Sequence, residues 1–70
     1  MKRRDLIKTI AAAAKTAKHE WAEQREGGKH TVYTLDGLRV PIPRHNEINE
    51  ITATAILKQC EAILGEGWWK

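Results

Sequence analysis

The sequence predicts an α+β fold of order α-β-β-β-α: a three-stranded antiparallel sheet with two helices on one face. Three observations predict it. Apolar residues recur at helical spacing near both ends of the chain. A run rich in β-branched and aromatic residues fills the middle, and an Asp-Gly pair stands between that run and a second apolar one.

The first helix is expected over Asp5 to about Ala17. Leu6, Ile10, Ala13 or Ala14, and Ala17 recur every three to four residues, and alanine is the strongest helix former. Asp5 suits the positive end of the helix dipole. No residue marks the end near Lys18. Glu20 to Glu26 alternates weakly and reads as a strand. Residues 30–35, His-Thr-Val-Tyr-Thr-Leu, read as a second strand, because branched and aromatic side chains fit a pleated surface. Asp36-Gly37 fits a two-residue type I′ turn, which needs positive φ at both positions. Leu38 to Ile42 returns, and Pro41 and Pro43, which cannot donate ladder bonds, place it at a sheet edge. The last helix is expected from about Asn49, a good N-cap, to Leu64. Ala53, Ile56, Leu57, Cys60, Ile63 and Leu64 form one stripe, and Gly65 closes it. Residues 1–65 are read as the domain and 66–70, with Trp68-Trp69, as a tail.

The hairpin decides which way the middle residues point. A two-residue turn pairs Leu35 with Leu38, Thr34 with Arg39, and His30 with Pro43. Alternation then puts Thr31, Tyr33, Leu35, Leu38, Val40 and Ile42 on the core face. His30, Val32, Thr34, Arg39 and Pro41 take the other. Trp21 depends on the first strand. If Gly27-Gly28 is the turn, Arg25 pairs with His30 and Trp21 lies on the open face, where a ring stacks on a base. A longer loop or a bulge turns it into the core.

Seventy residues make one domain, carrying a net charge of +3. A chain this short buries only about 60% of its unfolded surface, so chemistry belongs on an open face or a shallow groove. The basic balance suits a polyanion or an acidic protein, or serves solubility alone. One cysteine, Cys60, excludes an internal disulfide and a cysteine metal cage, and its place in the apolar stripe reads as buried. No signal or transmembrane segment is visible, so the chain reads as cytoplasmic, without a membrane. The three histidines share no ligand spacing, and no metal or cofactor is expected.

An exposed imidazole takes and returns protons near neutral pH. RNA supplies its own nucleophile, the 2′-hydroxyl, so a protein without a metal cleaves RNA by assisting that hydroxyl and protonating the leaving oxygen. His30 is the candidate catalyst. Lys29, Arg39 and Arg44 are candidates to hold phosphates, and His45 is a second proton carrier or a phosphate donor. A lone histidine in a hairpin also occurs as plain surface decoration, and His19 reads as a solvent-facing residue at a strand start.

Several stretches together resemble the HicA family of mRNA interferase toxins. They are Arg-Asp-Leu-Ile-Lys at 4–8, Gly-Gly-Lys-His at 27–30, Pro-Arg-His-Asn-Glu-Ile at 43–48 and Ala-Ile-Leu-Lys-Gln at 55–59. The resemblance covers nearly the whole chain to about Gln59. It implies a fold like double-stranded-RNA-binding domains and a ribosome-independent endoribonuclease. It also implies inhibition by a HicB-type antitoxin, through which larger assemblies form. The family's active-site histidine follows a Gly-Ser or similar pair on the second strand, a position held here by His30. Two departures stand out: Gly28-Lys29 replaces the serine and the His or Asn of many members, and the tail beyond Gly65 is longer. A non-catalytic RNA-binding module of the same fold is the alternative, and an interaction domain working through Trp68-Trp69 is a third reading.

Overall fold

The first helix, α1, spans Arg3–Thr16 and buries Leu6, Ile10 and Ala14. A computed structural model describes residues 1–27 and 30–70, with backbone alone for residues 25–27. The end of α1, unmarked in the sequence, is a left-handed residue at Lys18, φ 63°. The amide of His19 donates to the Ala14 carbonyl at 2.8 Å and that of Lys18 to Lys15 at 3.2 Å. These two bonds close the helix as a Schellman motif. A lysine in place of the usual glycine costs roughly 1–2 kcal/mol there, which is why composition hid the boundary.

Strands β1 (Trp21–Gly27), β2 (His30–Leu35) and β3 (Leu38–Pro43) follow, in sheet order β1-β2-β3 and antiparallel throughout. The β2–β3 register agrees with the expected one, from Leu35 opposite Leu38 to His30 opposite Pro43. Asp36 and Gly37 both take positive φ, 49° and 86°, as a type I′ turn requires. β3 is an edge strand, where its prolines leave no neighbour short of a donor.

The β1–β2 pairing differs from the one drawn from a Gly27-Gly28 turn. Gly27 itself pairs with His30, Arg25 with Val32, and Glu23 with Tyr33, so that a bulge falls at Gln24. The two-residue slide leaves the faces unchanged, and the extra residue turns them over. Trp21 therefore lies opposite Leu35 and stacks on Tyr33, with ring centroids 4.7 Å apart and planes 6° from parallel. The bulge puts a large ring on the core side, where burial and stacking stabilise it.

The last helix is broken. Helix α2 spans Glu50–Gln59, α3 spans Glu61–Leu64, and Cys60 stands between them. The Asn49 side chain caps α2 by accepting the Thr52 amide at 2.8 Å. In an unbroken helix the Leu57 carbonyl would take the amide of Glu61. Here it accepts the Trp68 indole N–H at 2.9 Å. The tail thus folds back on the domain. Trp69 Nε1 and the Gly67 amide both donate to Glu61 Oε2, at 3.1 and 2.9 Å, and both indoles pack partly buried against the core.

That core lies between the helices and one sheet face. Leu6, Ile10, Ala14, Leu35, Val40, Ile42 and Cys60 are fully buried. No helix among the described residues covers the other sheet face. Among the described residues no helix is long and apolar enough to cross a membrane.

Candidate active site

His30 opens β2 and is exposed, on the helix-free face. Its place follows from the turn chemistry of Asp36-Gly37 at the far end of the hairpin. The turn fixes the register, and the register fixes the face. Gly27 flanks it across β1 and Pro43 across β3. Val32 and Thr34, half-buried, and Arg39 and Pro41, exposed, continue the same surface. Thr34 Oγ1 accepts the Gln24 side-chain amide at 3.1 Å, tying the bulge to the sheet.

The structure sorts the other candidates by distance from His30. Arg44 directly follows Pro43, the ladder partner of His30, and His45 comes next; both are exposed. They belong to the His30 end of the sheet. Arg39 is exposed on the same face but pairs with Thr34, four residues back along the strand. That places its backbone about 13 Å from Pro43. His30 and Arg39 therefore stand at separate points along the face. Lys29 lies outside the described residues.

His19 stands just before β1, part-exposed, and carries a partner that the sequence did not show. Its Nδ1 lies 2.6 Å from Asp36 Oδ2. Asp36 Oδ1 accepts the Glu20 amide at 2.7 Å, and its own amide donates to the Glu20 carbonyl at 2.8 Å. The bonds from the Glu20 amide and from His19 hold the Asp36 carboxyl below its ordinary value. The turn aspartate thus clamps the start of β1, at the opposite end of the sheet from His30. Five residues of β2 separate the two ends, about 17 Å, so His19 and His30 do not form one site. Among the described residues, no three His, Cys, Asp or Glu side chains are grouped as a metal would need. Burial pushes the Cys60 thiol up to about 11, the state of a packing residue.

One residue at the His30 end escaped sequence reasoning. Arg3, half-buried in the first turn of α1, donates from Nε to the Pro43 carbonyl at 2.9 Å and from Nη2 to Thr31 Oγ1 at 3.1 Å. A threonine in a core position, 1% exposed, was the available signal, because a buried hydroxyl needs a partner.

The model for the family described as "HicA toxin of bacterial toxin-antitoxin" matches residues 3–62 of the 70. The chain belongs to the HicA toxin family. No curated protein matches it, and no solved structure does. As a HicA toxin it is one half of a toxin-antitoxin pair. The match takes in α1, all three strands and α2, and so includes Arg3, His30, Arg39, Arg44 and His45. It stops before Trp68 and Trp69, which this HicA chain folds against α2 and α3.

Proposed function

We propose that this HicA toxin is a metal-independent endoribonuclease that cleaves mRNA, with His30 as the proton-transfer residue. The observation that carries the reading is the exposure of His30 on the helix-free sheet face, with Arg44 and His45 next along the chain from its ladder partner. In the reaction the ribose 2′-oxygen loses its proton to a base and attacks the adjacent phosphorus. The P–O5′ bond breaks, and the leaving 5′-oxygen takes up a proton. The products are a 2′,3′-cyclic phosphate and a 5′-hydroxyl end. His30 exchanges one of those protons, a contribution of about 10²–10⁴-fold.

Lys29, Arg44 and His45 hold the reacting phosphate and meet charge growing on its oxygens. Arg39, about 13 Å along the strand, takes a phosphate farther along the same chain. An open sheet face suits this substrate, since single-stranded RNA tracks a charged surface without entering a cavity. Residues 1–65 form the interferase unit, which works in the cytoplasm. A HicB-type antitoxin covers the His30 face and blocks proton transfer and RNA binding together. Its matching surface is acidic.

The test is cleavage of a labelled RNA by wild type and His30→Ala in EDTA, with end-group analysis. Cyclic-phosphate ends from wild type, lost in a folded variant, are the expected result. RNA bound by both proteins and cut by neither would make the chain a non-catalytic RNA-binding module.

A further inference from the structure

We infer that Arg3 is the positioning residue of the site, holding His30 and the start of the 44–48 loop in place from the opposite face of the sheet. The inference rests on the nuclease reading above.

The need for such a residue follows from the ladder. In a two-residue hairpin the closing pair, Leu35 and Leu38, is hydrogen-bonded, and bonded and non-bonded pairs then alternate. Counting down the register, Thr31 and Ile42 are bonded, whereas His30 and Pro43 are not. Pro43 has no N–H to give in any case. The N–H and C=O of His30 face β1 instead, where it pairs with Gly27, so what the ladder leaves without a partner at this end is the Pro43 carbonyl, at the open edge of β3.

Arg3 supplies what the ladder omits. Its Nη2 holds the hydroxyl of Thr31, the residue after His30, at 3.1 Å. Its Nε holds the Pro43 carbonyl at 2.9 Å. That carbonyl is half of the peptide joining Pro43 to Arg44, so its orientation sets where Arg44 leaves the strand. The Arg3 amide also donates to the Asn46 carbonyl at 2.9 Å, pinning the loop just past His45. One residue therefore ties together β2, β3 and the loop around His30. Thr31 points to the core face and His30 to the open one. Arg3 consequently acts from beneath the sheet and touches no substrate.

The chemistry of the guanidinium matters here. Its planar fork reaches two acceptors at once, and an ammonium on a flexible stem does not. Arg3→Lys keeps the charge and loses the bridge. Thr31→Val removes the hydroxyl acceptor without opening a cavity. A displacement near 1 Å at a reacting group costs up to about 10²-fold in rate.

Steady-state cleavage in EDTA over a range of RNA concentrations would be measured for wild type, His30→Ala, Arg3→Lys, Arg3→Gln, Thr31→Val and the Arg3→Gln/Thr31→Val pair. Thermal melts would confirm folding, and ring signals of all three histidines would be followed by NMR. Lysine and valine variants should stay folded, lose roughly 10- to 100-fold in kcat and change KM little. The double variant should be no slower than the worse single one, as residues in one contact are not additive. The His30 ring signals should move in both singles while those of His19 stay. Wild-type kcat in Arg3→Lys, or a raised KM with kcat unchanged, would overturn the inference and make Arg3 an ordinary phosphate contact or a simple staple. Cleavage by His30→Ala at the wild-type rate would instead remove His30 from the reaction, and no cleavage by wild type would sink the nuclease reading. In either case the ring signals of the other proteins would still report whether Arg3 holds His30.

Discussion

Replacing Trp68 with alanine tests whether the tail is part of the folded domain or a free arm for a partner. Trp68 packs partly buried on the core, and its indole N–H donates to the Leu57 carbonyl at 2.9 Å. A tryptophan buries 150–250 Å² when fully enclosed. At partial burial about 100 Å² leaves water, worth about 2.5 kcal/mol at 25 cal/mol per Å². Losing the hydrogen bond adds about 1 kcal/mol. The sum, about 3.5 kcal/mol, is large for a domain whose total at 0.05–0.15 kcal/mol per residue lies near 4–10 kcal/mol. A loss of 1 kcal/mol lowers Tm by roughly 4–8 °C at this size, so Trp68→Ala should melt at least about 14 °C below wild type. Trp68→Phe keeps most of the apolar contact and loses the N–H, and should fall by only about 1 kcal/mol. The assay is thermal and urea unfolding followed by circular dichroism. An unchanged Tm in Trp68→Ala would refute the reasoning, and lost antitoxin binding with that Tm would assign the tail to assembly.

Two further outcomes follow from the titrating groups. Asp36 and Glu61 are both held below their ordinary values of 3.8 and 4.5, Asp36 chiefly by the Glu20 amide and Glu61 chiefly by the Gly67 amide. The unfolded chain then binds protons first, so their stabilisation is complete above those ordinary values and lost as pH falls through the lower folded ones. Acid titration of Asp36→Asn and Glu61→Gln should show a flatter stability loss below about pH 4.5 than wild type, and an identical acid limb would contradict the assignment. Cys60, buried and pushed up to about 11, should react with a thiol reagent at pH 8 roughly 10²-fold more slowly in the native protein than in urea. Equal rates would show the thiol to be open.

The central hairpin was legible because everything that determines it is local. Asp36-Gly37 demands positive φ, that turn sets the register, and the register puts His30 and Arg39 on one face and Val40 and Ile42 on the other. The stripe of α1 and the Asn49 cap were legible for the same reason, since each depends on residues within a few positions. Tertiary structure decided what local chemistry leaves balanced. Lys18 takes a conformation that glycine usually fills, because the Schellman bonds and the packing beyond it offset the cost. The bulge at Gln24 turns Trp21 inward because Tyr33 waits there, a partner twelve residues away. Trp68 reaches back to Leu57 at the break in the last helix. At the site, sequence alone could place His30 on a face and line up cations beside it. It could not show that Arg39 sits about 13 Å along the strand, or that Arg3 is bonded across 28 and 40 residues to Thr31 and Pro43. Such bonds depend on which segments the core brings together, and a short pattern in the chain carries no record of that.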